Sequence, residues 1–189
     1  MRKDIIEIRW HGRGGQGAIT AAKIVANAAF ATGYSGVVMA PTFGTERRGA
    51  PVLTSLKISK KKIYDLSPIT EPDMVIVLDH LLVEEADVSN GLKPGGLIII
   101  NTPMAPNDYH FKEKDVKIAT ADVTKIAVQV GLPQGIVNTG IIGAFAKASG
   151  LIDIEKLVKE IENEFKGKKP KRNGKAARAT YDRTVIGGS

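Results

Sequence analysis

The chain has 189 residues, 43% of them hydrophobic but only 5% aromatic, with a net charge of +7 and no cysteine. That size fits one domain, residues 1–189, with a core of Ile, Val, Leu and Ala, and it excludes disulfides, thiolate zinc sites and cysteine-ligated iron–sulfur clusters in this chain. Eight basic residues and one acid lie between Lys166 and Arg183 while 19 of each sign occupy the rest, so the charge belongs to a basic C-terminal tail, 166–189, and nucleic acid is not an expected partner.

In chain order, Ile6, Ile8 and Trp10 alternate with Glu7, Arg9 and His11, the period of a strand with unlike faces. Four glycines within 12–17 then break the strand, and an alanine-rich helix runs from Ala18 to about Ala31, with Gly33 placed to end it. A short strand, Gly36–Ala40, stops at a loop reading Pro41-Thr42-Phe43-Gly44-Thr45-Glu46-Arg47-Arg48-Gly49-Ala50-Pro51. Val52–Ile58 alternates as a strand, with Lys60–Lys62 as a hairpin tip and Ile63–Asp65 as the return. Met74–Leu78 and Leu97–Ile100 are unbroken apolar runs, the pattern of buried parallel strands. A helix is expected over Leu81–Val88 and a short strand at Val116–Thr120. Asp122, Asn138-Thr139 and Asp153 stand where they can cap three further helices. The last of these, Ile154–Phe165, is amphipathic, and the tail beyond it is expected to be partly helical around Lys175–Arg183. The fold class is α/β: a three-layer, mostly parallel but mixed sheet with helices on both faces and a Rossmann-like first unit. No apolar run reaches membrane length and no leader precedes the first strand, so no membrane is expected and the cytoplasm is the default location.

The chemistry concentrates at the first turn. Gly12-Arg13-Gly14-Gly15-Gln16-Gly17 satisfies G-x-G-x-x-G with a strand before it and a helix after it. Such a turn aims backbone N–H groups and a helix N-terminus at an open sheet edge, which suits phosphates and other anions. The glycine-turn amides and Arg13 are expected to act together as fixed positive charge. A nicotinamide dinucleotide site also needs an acid at the end of the second strand. That strand ends Met39-Ala40-Pro41, which disfavours a dehydrogenase. A P-loop is excluded because no Gly-Lys-Ser/Thr follows. In the second loop, Arg47 and Arg48 can clamp a phosphate or carboxylate, with Thr42, Glu46 and Gly49 beside them; a solvated loop or an intersubunit ion pair explains them equally well. Asn101 at a strand end, and Asn138 and Thr139 at a helix start, offer neutral hydrogen bonds or simple caps. Asp79 and His80 are discounted as an acid–base pair, since neighbours on a strand point to opposite faces. No serine elbow, metal cluster or thiol is present, so no catalytic residue and no metal ligand is assigned.

The glycine motif, the alanine-rich helix after it and the Pro41–Pro51 arginine loop together resemble the gamma subunit of the 2-oxoacid:ferredoxin oxidoreductases, the pyruvate synthase family. The similarity extends over the Asp73–Asp79 strand, Asn101-Thr102 and Asn138-Thr139, nearly the whole chain. The resemblance implies a subunit of a complex that decarboxylates a 2-oxoacid to an acyl-CoA and passes electrons to ferredoxin. It implies partner alpha, beta and delta-type subunits that hold thiamine diphosphate, magnesium and the iron–sulfur clusters, with this chain contributing scaffold and loops on the coenzyme A side. Gly12–Gly17 and Glu46–Gly49 are then the positions to expect at coenzyme A or at a subunit interface, and the basic tail could face a partner subunit or ferredoxin. The competing expectation is a stand-alone CoA- or nucleotide-binding α/β protein using the same glycine edge.

Overall fold

Ile5–Arg13 forms the nine-residue strand β1, from which the sheet is laid out. The computed structural model describes residues 5–41 and 48–188. Six more strands follow: β2 (Gly36–Pro41), β3 (Pro51–Ser59), β4 (Met74–Val77), β5 (Leu97–Asn101), β6 (Lys117–Ala121) and β7 (Val185–Gly188). The helices are α1 (Ala18–Ala31), α2 (Leu82–Glu85), α3 (Val123–Gln129), α4 (Asn138–Ser149), α5 (Ile154–Glu164) and α6 (Pro170–Arg183). One mixed sheet results, in the order β2-β3-β1-β4-β5-β6-β7. β1, β4, β5 and β6 run parallel, β3 is antiparallel to both β1 and β2, and β7 is antiparallel to β6.

The alternation in β1 sorts its side chains. Ile8 and Trp10 join Leu56, Ile58, Ile76 and Ile99 under α1, α4 and α5. Trp10 and Phe145 meet with ring centroids 6.2 Å apart, both fully buried. Burying a side chain of that size stabilises the fold by about 2–3 kcal/mol. On the other face Val75, Val77, Ile98 and Ile100 are covered by Leu82, Val88, Leu92 and Tyr109. This layer is thin, built from the single turn of α2, a 3-10 turn at Pro106–Asp108 and loops. The polar residues of β1 face it and are not left to solvent. Arg9 is 8% exposed and donates through Nη2 to the carbonyls of Val88 (2.8 Å) and Asn90 (2.7 Å). Lys93 reaches Glu7 at 2.9 Å.

Two caps form as the sequence indicates: Asp122 accepts from Lys125 N and Asp153 from Glu155 N, each at 2.9 Å. Gly33, at φ 90°, closes α1 while the amides of Gly33 and Tyr34 donate back to Phe30 and Ala29. Asn138 does not cap α4. It is the first residue of that helix, Val137 holds the cap position, and Asn138 Oδ1 accepts from the adjacent Thr139 amide.

Two further expectations are corrected. The Lys60–Lys62 hairpin does not form, because β3 is already paired on both sides, with β1 along its full length and with β2. The helix expected over Leu81–Val88 is four residues long, ending where Ala86 becomes extended. The basic segment is also more than a tail. Pro170–Arg183 is a regular helix whose Asn173, Gly174, Ala176, Ala177 and Thr180 are buried, with Lys171, Arg172, Lys175 and Arg178 outward. It seats on α4 at Gly143, where an added Cβ would run into the Ala177 carbonyl. Val185–Gly188 then adds a strand to the sheet edge.

Candidate functional site at the glycine turn

β1 does not stop at the first glycine. Gly12 and Arg13 are still in register, opposite Val52 and Pro51 of β3. The chain turns only at Gly14, and there it is tied to the arginine loop. Gly14 N donates to Ala50 O at 2.8 Å and Gly49 N to Gly14 O at 3.1 Å. The two loops that the sequence presents separately are therefore one surface. Gly17 has φ 78°, and a Cβ there would lie 2.7 Å from Asn138 Nδ2. Both the backbone conformation and the close approach of α4 require glycine.

Gly17 is also the N-cap of α1 and supplies no side-chain cap. The first turn of α1 opens into a cleft of about 470 Å³ lined by Gly14, Gly15, Gly17, Thr20, Arg48 and Val52, among others. Helix N-terminal amides and their dipole favour an anion at such a place.

Arg13 is not the free cation the motif suggests. Its Nε contacts Asp79 Oδ2 at 2.8 Å and its Nη2 contacts Glu85 Oε1 at 2.6 Å. Two carboxylates against one guanidinium leave a local charge of −1. Arg13 therefore fastens the end of β1 to the end of β4 and to α2. Gln16 joins the same brace, accepting from Arg13 N (2.8 Å) and donating to Asp79 (3.2 Å). Burial pushes the Asp79 carboxyl upward, but hydrogen bonds from Arg13, the Leu81 amide and Gln16 outweigh it and hold it below the ordinary value of 3.8. The positive character of the cleft thus rests on the α1 N-terminus and Arg48. Asp79 and Glu85 were missed as site residues. The available signal was the position of Asp79 at the carboxyl end of a buried strand, which becomes decisive only once β4 is placed beside β1.

Below the turn, His11 Nε2 accepts from Arg9 Nε at 3.1 Å. Burial, and then the Arg9 charge, lower its pKa to about 4. It is neutral, with its proton on Nδ1. The other expected site residues have different surroundings. Asn101 Nδ2 donates to Leu78 O (2.9 Å) and Thr124 Oγ1 (3.1 Å), tying β5 to β4 and α3. Thr139 points away from the turn and donates to Asn173 of α6 at 3.2 Å. Only Asn138 stands beside the cleft, at Gly17. Thr42, Glu46 and Arg47 lie outside the described residues. Among the described residues no group of three or more His, Cys, Asp or Glu could hold a metal ion.

The comparisons with known proteins agree with one another. Residues 7–183 match the family model described as pyruvate ferredoxin/flavodoxin oxidoreductase. The pyruvate/ketoisovalerate oxidoreductases common subunit gamma of Thermococcus litoralis is 48% identical, covering 96% of this chain and 98% of its own. The pyruvate synthase subunit PorC of Methanothermobacter marburgensis is 46% identical over 95% of this chain and 97% of its own. Among solved structures, the pyruvate oxidoreductase subunit PORC of Thermotoga maritima superposes with a TM-score of 0.83 at 33% identity, covering 97% of this chain and 99% of its own. The 2-oxoglutarate:ferredoxin oxidoreductase of Magnetococcus marinus, solved with 2-oxoglutarate, coenzyme A and succinyl-CoA bound, shares the fold at a TM-score of 0.72 and 20% identity, over 96% of this chain and 32% of its own. The chain belongs to the pyruvate ferredoxin/flavodoxin oxidoreductase family, among its gamma-type, PorC subunits.

Proposed function

We propose that this chain is the gamma subunit of a complex that oxidatively decarboxylates a 2-oxoacid, forms the acyl-CoA and delivers electrons to ferredoxin, and that its glycine-turn cleft receives a phosphate of coenzyme A. Gamma subunits at 46–48% identity over almost the full chain support the first part and disfavour a stand-alone nucleotide-binding protein. The observation behind the second part is the joining of Gly14 to Gly49 and Ala50, which sets Arg48 and the uncapped α1 N-terminus on one cleft. Thiamine diphosphate, magnesium and the iron–sulfur clusters are assigned to alpha, beta and delta-type partners. No step of that chemistry is given to residues of this chain.

Gly15 provides the test. It sits at φ 94°, and an added Cβ would meet only Arg48 Cγ, at 3.9 Å. Asp and Asn tolerate that backbone region better than other side chains, and they differ here in charge alone. In the reconstituted complex, Gly15→Asp is expected to raise KM for coenzyme A about tenfold, with Gly15→Asn within about threefold of the parent. Equal KM values for all three proteins would remove coenzyme A from this cleft. Failure of Gly15→Asp alone to co-purify with the other subunits would make the cleft a subunit interface instead.

A further inference from the structure

The sharpest unassigned feature lies between the α3–α4 loop and the α5–α6 loop. A groove of about 350 Å³ has a floor of Leu132, Pro133, Ile136 and Phe165 and a rim of Lys168 and Lys169. Its walls are fixed to each other, since Arg172 Nη1 on α6 donates to Gly131 O at 2.9 Å. Lys169 is held in the left-handed region, φ 57° and ψ 52°, although it is not glycine. Such a residue costs about 1 kcal/mol and persists only where its surroundings over-determine it. Here they do. Asn173, 3% exposed, donates through Nδ2 to the carbonyls of both Lys168 and Lys169 at 3.1 Å and accepts from Thr139. A buried asparagine therefore fixes the backbone that sets two lysines on the rim of an apolar groove.

We propose that this groove docks an acidic polypeptide segment bearing one bulky apolar side chain, supplied by a partner subunit. The identity of the partner rests on the gamma-subunit reading; the chemistry of the groove does not. The floor can desolvate one aromatic or branched side chain, and the rim requires carboxylates on either side of it. Lys166, Lys171 and Arg172, all exposed, extend the same sign around it. A second copy of this chain would bring its own lysines to the contact and be repelled. Single-stranded nucleic acid would need aromatic faces for stacking, and the one aromatic at the groove, Phe165, packs against the core.

Two measurements test this. In the first, the full chain is titrated with a short fluorescent peptide of glutamates and aspartates around one phenylalanine. Saturable binding is expected, about tenfold weaker for the peptide with serine in place of phenylalanine and about tenfold weaker for the Lys168→Glu/Lys169→Gly and Pro133→Glu variants, whose circular dichroism should match the parent. No saturable binding, indifference to the phenylalanine, or preference for a single-stranded oligonucleotide would overturn the proposal. In the second, a photo-crosslinker at Pro133 in the assembled, active complex should capture a partner segment rich in Asp and Glu. An active complex with no crosslink, or with one to a basic segment, overturns the docking role. If the chain without the crosslinker assembles no complex either, the gamma-subunit reading fails and the peptide titration alone decides the groove; if only the crosslinker variant fails to assemble, the docking role is supported.

Discussion

His11 stays neutral because burial and the neighbouring Arg9 guanidinium both oppose a further positive charge, bringing its pKa from 6.5 to about 4. Between those values the unfolded chain binds more protons than the folded one. Stability is therefore full above about pH 6.5 and is lost as pH falls through about 4, by about 3 kcal/mol from this residue. His11→Gln keeps an acceptor for Arg9 Nε and does not titrate. Its denaturant midpoint should change less than the parent's between about pH 7 and pH 4. An unchanged acid slope would show that His11 is not the group responsible. The same scale explains what was hidden in the motif. Arg13 and Gln16 were legible as polar donors beyond what a turn needs, but their partners are 63 to 72 residues away in sequence, on Asp79 and Glu85. The premise that Asp79 and His80 share a strand fails, since β4 ends at Val77 and both lie beyond it, so spacing alone did not decide whether they pair. Nor could it show that Asp79 faces the neighbouring strand's turn.

Among the elements, the contact of α4 with α6 holds the C-terminal part of the chain in place. Gly143→Ala would drive a methyl into the Ala177 carbonyl. The expected cost is about 2–3 kcal/mol, read as a lower thermal unfolding temperature. A variant as stable as the parent would mean that α6 lifts away from α4 freely. The buried strands and the Asp122 and Asp153 caps were readable because each rests on local chemistry: apolar runs, or a carboxylate ahead of a helix. α6 was read only in part because its buried positions are small or polar, Asn173, Gly174, Ala176, Ala177 and Thr180, while its outer positions are basic. A helix that packs by close backbone approach gives little hydrophobic periodicity. The absent hairpin has a different cause. Strand order is long-range information, and β3 spends both edges on β1 and β2.

For the whole molecule, the excess positive charge lies on the outer face of α6 and the loop before it, opposed in part by the Glu155–Arg178 pair at 2.6 Å. The rest of the chain is balanced, and among the described residues no helix is long and apolar enough to cross a membrane. The proposed ligand surface is the open cleft beside the braced glycine turn, and the proposed docking surface is the basic apolar groove. Both surfaces suit the proposed role of a subunit in a complex whose redox chemistry is assigned to other chains. The decisive measurement is affinity purification of the tagged chain from its own cells, followed by assay of the purified material for 2-oxoacid- and CoA-dependent reduction of ferredoxin. The predicted result is co-purification with subunits carrying thiamine diphosphate and iron–sulfur clusters, with activity that requires both substrates. A solitary chain that binds coenzyme A or a nucleotide and has no such activity would contradict it.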